Sequence, residues 1–161
     1  MLKQVSFMSL QRMQALEASK HAIVVSVTDS SPHSVRPQLD GYRDVLRLEF
    51  IDITEEHVGA EPGAWPLEPT PLQHEQLTEL WGERMPALSD AVAIRTFLDA
   101  HHAGIESIEV LVHCFAGASR SAAIAMWAAA YYGVPLVDLS GRGTGEANER
   151  LLRLLKLADA G

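Results

Sequence analysis

One nine-residue stretch, 113–121, holds the residues of this sequence that are best suited to carry out a reaction. It reads HCFAGASRS and contains the only cysteine of the chain, Cys114, followed six positions later by Arg120, with Gly117 midway. A run of strand-forming residues precedes it, and a helical run begins near Ser119. This order of strand, glycine-containing loop and helix predicts a loop that curls around a tetrahedral anion with its backbone N–H groups turned inward.

The residue types in this loop suit the chemistry of phosphate esters. Helix N-termini and neighbouring cations favour the thiolate form of a cysteine, which makes Cys114 a candidate nucleophile. Arg120 can hold two phosphate oxygens in a bidentate fork, which the point charge of a lysine cannot do. The spacing therefore predicts attack of Cys114 on phosphorus, with Arg120 and the loop amides stabilising the charge that develops on the equatorial oxygens.

The stretch HCFAGASRS resembles the HCxxGxxRS loop of the cysteine-dependent protein tyrosine phosphatases, most closely that of their dual-specificity-like branch. In particular, the chain is similar to a group of small bacterial predicted protein tyrosine phosphatases, which carry strands resembling 22–28 and 46–53. The resemblance implies a phosphotyrosine phosphatase-like fold, a phosphocysteine intermediate, and a reaction that needs no metal or other cofactor.

The resemblance also implies roles, position by position. Cys114 would be the nucleophile and Arg120 the phosphate clamp, while His113 would orient the loop and tune the thiolate. Ser121 would donate its hydroxyl to the cysteine sulfur, although its place in the first helical turn is equally typical of helix capping. The substrate-binding residues would be those of the loop itself: Phe115, Ala116, Gly117, Ala118, Ser119 and Arg120.

An alkyl phosphate needs a proton delivered to its leaving oxygen, so we expect a carboxylic acid on a neighbouring loop. Asp52 is the main candidate, because it closes the second predicted strand, where dual-specificity-like relatives place their acid. It lies farther upstream of the cysteine than is usual in that family, since the Gly/Pro-rich segment 58–71 intervenes. Glu55 and Glu68 are the alternatives, the second because WPLE at 65–68 resembles a WPD loop.

Size and charge narrow the class of protein. With 161 residues and 47% hydrophobic side chains, the chain fits one phosphatase domain over 1–161. The net charge of -8, without a visible basic patch, argues against nucleic acid or an anionic membrane surface as partner. The most apolar stretch, 122–137, is interrupted by Gly133 and Pro135, and no signal-peptide core follows Met1. We therefore expect a cytoplasmic protein whose partner is a phosphorylated protein or peptide.

Hydrophobic periodicity predicts alternating strands and helices, and hence an α/β domain with a mainly parallel central sheet flanked by helices. The reactive loop follows the carboxyl end of a strand, where such sheets bind ligands. The expected helices are 9–19, 70–83, one that follows Pro86 and closes at 101–104, 119–132 and one from near Gly145; the expected strands are 22–28, 46–53 and 108–112; segments 33–43 and 58–71 are expected to be irregular.

Several other titratable side chains have ordinary explanations. Asp29 opens a turn after the first predicted strand, and His101 and His102 lie at a helix C-terminus, where cations suit the helix dipole. The remaining histidines are too far apart in sequence to indicate a metal site: His33, His57 and His74.

Three classes of function remain open at this point. The first is hydrolysis of phosphotyrosine in proteins, with phosphoserine and phosphothreonine as further substrates; the loop has no lysine or second arginine, which disfavours polyanionic inositol phosphates or RNA ends. The second is a rhodanese-like or arsenate-reducing cysteine enzyme, although rhodanese-type loops do not generally share this cysteine-to-arginine spacing. The third is a module that binds phosphate without turnover.

Overall fold

Five strands form one parallel sheet at the centre of the protein. The computed structural model describes residues 1–80 and 82–159. The strands lie in the order β3-β2-β4-β1-β5, and every neighbouring pair is parallel. Parallel strands all point the same way, so the segments that follow β2, β3 and β4 meet at one edge of the sheet. The strands are β1 (Leu2–Ser9), β2 (Ala22–Thr28), β3 (Asp44–Glu49), β4 (Ile108–Cys114) and β5 (Leu136–Asp138).

Helices cover both faces of this sheet. The larger core holds alternate residues of the strands, such as Val25 and Val112, against three helices, α3 (Leu88–His102), α4 (Arg120–Tyr132) and α5 (Glu149–Asp159). The opposite strand residues, such as Val24 and Leu111, pack in a smaller cluster that includes Met13 of α1 (Leu10–Ala15). A further helix, α2 (Pro71–Thr78), follows the Gly/Pro-rich segment that begins at residue 58. Within the described residues, no helix has both the length and the apolar character needed to cross a bilayer.

The α/β prediction, with a parallel sheet flanked by helices, is confirmed. The strand predicted over 22–28 has those bounds, Ser9 caps α1 by accepting from Arg12 N at 3.1 Å, and Thr70 caps α2 with Pro71 in its first turn. The helix predicted after Pro86 is also observed as α3, and it buries Ala91, Ile94 and Leu98. In these segments, the residue types of near neighbours in the sequence were sufficient to predict the secondary structure.

Two strands were missed by the sequence analysis. In β1 the pairing with β4 shifts between Leu2 and Gln4, so the buried residues Leu2, Val5 and Phe7 do not follow a strict alternation. Strand β5 has only three residues, too few to produce a periodic pattern. Both strands are defined by their pairing with a distant part of the chain.

Other boundaries differ from the predictions. The second strand runs over Asp44–Glu49 rather than 46–53, and α5 begins at Glu149 rather than near Gly145. Helix α2 ends at Thr78 rather than near Glu83, because Glu79 adopts a left-handed conformation with φ of 59°. Residues 81, 160 and 161, which the predicted helix 70–83 and the predicted domain 1–161 include, lie outside the described residues.

A buried ion pair ties the segment after β3 to α5. Glu55 is completely buried, and its carboxylate accepts from Arg150 Nη1 at 2.8 Å and from Arg153 Nη2 at 2.6 Å. Arg150 also donates to the carbonyls of Pro86 and Pro66, which leaves its buried guanidinium well satisfied. These bonds fix the short 3-10 turn Glu55–Val58, which begins three residues after Asp52.

Removing one partner of this pair should therefore be costly. We expect Glu55→Ala to lower the free energy of unfolding by about 3–5 kcal/mol, because it leaves Arg150 buried without its carboxylate. The matched control is Glu56→Ala, whose exposed carboxylate lies 3.4 Å from Arg153 and should contribute less than about 1 kcal/mol. Urea denaturation measures both; similar losses for the two variants would contradict the role assigned to Glu55.

Candidate active site

The loop between β4 and α4 is held against the end of β1. Gly117 has a φ of 75°, and a Cβ at this position would lie 2.4 Å from the backbone nitrogen of Ser9 and 2.6 Å from the carbonyl carbon of Met8. Only glycine satisfies both constraints. The carbonyl of Phe115 accepts from Leu10 N at 3.1 Å and closes the contact. The glycine of the motif is therefore required by the backbone geometry.

Cys114 lies at the base of a cavity and has two polar neighbours. Its sulfur is 3.2 Å from Ser121 Oγ, and it accepts from the backbone N–H of Gly117 at 3.3 Å. The side chain is buried, and it lines a cavity of about 220 Å³ together with Asp29 and Phe115. The structure thus brings Ser121 to the sulfur, as the sequence analysis expected.

The loop backbone offers donors that the fold does not use. Within the described residues, no N–H from 116 to 120 donates to a backbone carbonyl, and the N–H of Gly117 points to the cysteine sulfur. Phe115 is 69% exposed at the mouth of the cavity, and Ser119 is half-buried where α4 begins. The six predicted substrate-binding residues all belong to this segment: Phe115, Ala116, Gly117, Ala118, Ser119 and Arg120.

The guanidinium of Arg120 is buried behind the loop and is held along one side only. Its Nη1 donates to Asp29 Oδ1 at 2.6 Å and to the carbonyl of Phe50 at 2.8 Å. Its Nε is buried and has no hydrogen-bond partner within the described residues. A buried donor without a partner is costly, so this N–H marks a place where an acceptor is expected.

Asp52 contacts the loop from the end of β3. Its Oδ1 accepts from Ser119 Oγ at 2.6 Å and from Asn148 Nδ2 at 2.8 Å. Asp52 and Ser119 also line a second cavity of about 480 Å³ beside the loop. Both hydrogen bonds end on the same oxygen, so Oδ2 is the atom available to carry a proton.

The two alternative carboxylates are engaged elsewhere. Glu55 is buried in its ion pair with Arg150, and Glu68 accepts from the backbone N–H and the hydroxyl of Ser89 at the start of α3. Neither glutamate lines the cavity of Cys114 or that of Asp52. Of the three carboxylates weighed from the sequence, the structure brings only Asp52 to the loop.

His113 is completely buried beneath the loop. Its Nε2 lies 2.7 Å from Ser26 Oγ, and its Nδ1 lies 3.4 Å from the carbonyl oxygen of Cys114. Burial lowers the pKa of His113 to about 4, so the ring is neutral near pH 7. Its hydrogen bonds suit the predicted orienting role, but a neutral ring adds no positive charge beside the sulfur.

Sequence reasoning missed three residues of the site. Asp29 was interpreted as a turn residue, yet its carboxylate is paired with Arg120. Asn148 holds Asp52 and also caps α5 by accepting from the N–H of Leu151 at 2.9 Å. Ser26 is a buried polar residue within an apolar strand. Such a serine was the one sequence signal that could have indicated a partner, since buried hydroxyls are usually hydrogen-bonded.

Three of the other histidines accept a hydrogen bond from a backbone N–H or contact a single carboxylate. His57 and His74 accept from the N–H groups of Thr54 and Met85, and His101 Nε2 lies 3.0 Å from Asp44 Oδ2. Across residues 1–80 and 82–159, no group of three or more His, Cys, Asp or Glu side chains is arranged to hold a metal ion.

Comparisons with protein-family models, with curated proteins and with solved structures gave no match. Four features meet at one loop: a buried cysteine, a carboxyl group, and, among the described residues, amide donors that are not used and an arginine N–H without a partner. The loop has the donors needed to bind a tetrahedral oxyanion, and Asp52 places a carboxyl group against the same loop through Ser119.

The neutral state of His113 makes stability depend on pH. The pKa of His113 lies below the ordinary histidine value of 6.5, so the unfolded chain binds a proton more readily than the folded one. The free energy of unfolding should therefore fall as the pH drops from 6.5 towards 4, by at most about 1.4 kcal/mol per pH unit from this group. His113→Gln should flatten the slope in urea denaturation across that range; equal slopes would contradict the assignment.

Proposed function

We propose that this protein is a phosphomonoesterase that hydrolyses phosphotyrosine in proteins through a phosphocysteine intermediate. The observation that carries the proposal is the side chain of Arg120, which is buried beside the Cys114 loop and whose Nε has no hydrogen-bond partner among residues 1–80 and 82–159. A phosphate over the sulfur would satisfy that donor together with the unused loop amides. On this proposal, the parallel sheet flanked by helices is that of a phosphotyrosine phosphatase-like fold.

In the first step, the thiolate of Cys114 attacks phosphorus and the bond from phosphorus to the ester oxygen breaks. Asp52 donates a proton to the departing oxygen, so the product leaves as an alcohol or phenol. Arg120 and the loop amides hold the three equatorial oxygens as their charge develops. The hydroxyl of Ser121, 3.2 Å from the sulfur, supports the thiolate as it becomes the leaving group of the second step.

In the second step, water attacks the phosphocysteine. Asp52, now ionised, takes a proton from the water, the bond from sulfur to phosphorus breaks, and inorganic phosphate leaves with Cys114 restored as thiolate. The two steps together consume one water and produce one alcohol or phenol and one phosphate. No electron transfer is involved.

The walls of the cavity support an aromatic phosphate ester as substrate. Leu10, Val35 and Phe115 line the same cavity as Cys114, and the last two side chains are more than half exposed. Apolar side chains at the mouth of a site favour a flat aryl group over a charged one. Phosphoserine and phosphothreonine would bury less area against these side chains.

Turnover of p-nitrophenyl phosphate tests the proposed nucleophile. We expect Cys114→Ser to abolish turnover while retaining binding of inorganic phosphate, because the loop amides and Arg120 remain. Arg120→Lys should also lower kcat/KM strongly, since lysine cannot provide the fork. Near-wild-type activity in Cys114→Ser, or a wild type without turnover of either this ester or phosphotyrosine peptides, would reject the proposal.

A series of leaving groups tests Asp52 separately. We expect Asp52→Asn to lower kcat by roughly 10² to 10³ for alkyl phosphates and by much less for activated aryl phosphates, because only poor leaving groups depend on the proton. The alkaline limb of the pH–rate profile should flatten in the same variant. Glu68→Gln is the matched control and should leave kcat and the alkaline limb of the pH–rate profile unchanged. Equal losses across all leaving groups would indicate a structural role for Asp52.

A further inference from the structure

The carboxylate of Asp29 makes an ion pair that the steps above do not use. Asp29 follows the last residue of β2, and its side chain is 46% exposed, whereas that of Arg120 is 5% exposed. Strands β2 and β4 are neighbours, with Ser26 paired to His113, so the end of β2 lies next to the loop that contains Cys114. Asp29 lines the same cavity as Cys114.

The two acceptors of Arg120 leave one defined edge of the guanidinium open. Nη1 carries two N–H groups, and Asp29 Oδ1 and the carbonyl of Phe50 provide one acceptor for each. The remaining edge, formed by Nε and Nη2, is the side-on fork that binds two oxygens of a phosphate. The buried Nε without a partner belongs to that edge. Asp29 therefore binds the side of the guanidinium that a phosphate does not need.

We propose that Asp29 is a positioning residue that, with the carbonyl of Phe50, holds Arg120 with its Nε/Nη2 fork turned toward the phosphate. This inference rests on the proposed phosphatase reaction and adds a residue to it. Asp29 acts through Arg120: it fixes the guanidinium before substrate arrives, so that binding does not have to order a long side chain. The Phe50 carbonyl alone would leave one N–H of Nη1 without an acceptor.

The geometry separates this role from inhibition by Asp29. A carboxylate that competed with phosphate would occupy the fork itself, and its removal would raise activity. Here the carboxylate accepts from Nη1, and Nε has no partner in the part of the chain that the structure describes. We therefore expect loss of Asp29 to lower activity.

The test compares Asp29→Ala and Asp29→Asn with the wild type. Asp29→Ala should lower kcat/KM for p-nitrophenyl phosphate by about ten- to a hundredfold, the range expected for one hydrogen bond to a charged group, and weaken competitive inhibition by inorganic phosphate. Asp29→Asn should lose less, because its amide oxygen can still accept from Nη1. The alkaline limb of the pH–rate profile should stay in place in both. Asp40→Asn, an exposed aspartate that lines neither cavity, is the control for loss of charge.

A double-mutant cycle with Arg120→Ala shows whether Asp29 acts through the arginine. In that background, Asp29→Ala should change kcat/KM by less than about twofold, since the group it positions is gone. A further loss of tenfold or more there, an alkaline limb that disappears in Asp29→Asn, or faster turnover in Asp29→Ala would overturn the proposal. If phosphate binds the wild type but no ester is turned over, the phosphatase reaction is rejected, and the role of Asp29 is then tested by phosphate binding to the Asp29 variants. If Asp29→Ala keeps full activity, this inference alone is rejected.

Discussion

The burial of the Arg120 guanidinium is the constraint on which the rest of the site depends. A charged group taken out of water must be paired and hydrogen-bonded, or its burial is strongly unfavourable. Asp29 and the carbonyl of Phe50 accept hydrogen bonds from Nη1, and both residues directly follow adjacent parallel strands, β2 and β3. An antiparallel neighbour would have placed one of these groups at the far edge of the sheet. The parallel arrangement therefore allows Arg120 to lie beside the Cys114 loop with acceptors for the two N–H groups of Nη1 and with its Nε/Nη2 edge open.

The segment that contains Asp52 is held by Asn148 and by α5 as well as by its own sequence neighbours. Asn148 binds the Asp52 carboxylate and the carbonyl of Ile53, and Arg150 pairs with Glu55 one turn further along. These bonds explain how an acid far upstream of the cysteine can still reach the loop. The hydrogen bonds to the Asp52 carboxylate come from Ser119 and Asn148, which lie outside the Gly/Pro-rich segment 58–71, and that segment is tied to α5 by the bond from Arg150 to the carbonyl of Pro66. The stability of α5 and the position of the acid are therefore coupled.

The parts of the site that were predictable are those that depend on neighbours in the sequence. Cys114, Gly117 and Arg120 belong to one turn whose geometry fixes their spacing, and Asp52 was found from its place after a strand. Asp29 and Asn148 were missed because a polar residue after a strand or before a helix is equally typical of a turn or a cap. Nothing local distinguishes such residues from those that also reach across the sheet. Strand β1 was missed for a related reason, since its shift of register exists only in the pairing with β4.

The electrostatic environment of the cysteine follows from which groups remain charged at this edge. His113 is neutral, since its pKa is lowered to about 4 by burial, so the positive field at the sulfur must come from Arg120, the loop amides and the start of α4. Arg120 is held in place by Asp29 and by the carbonyl of Phe50. Asp29 offsets part of the arginine charge while it orients the fork, so the net field is weaker but better directed. In a site of this kind, the orientation of the hydrogen-bond donors contributes more to stabilising the charge that develops on the phosphate than the number of charged groups does.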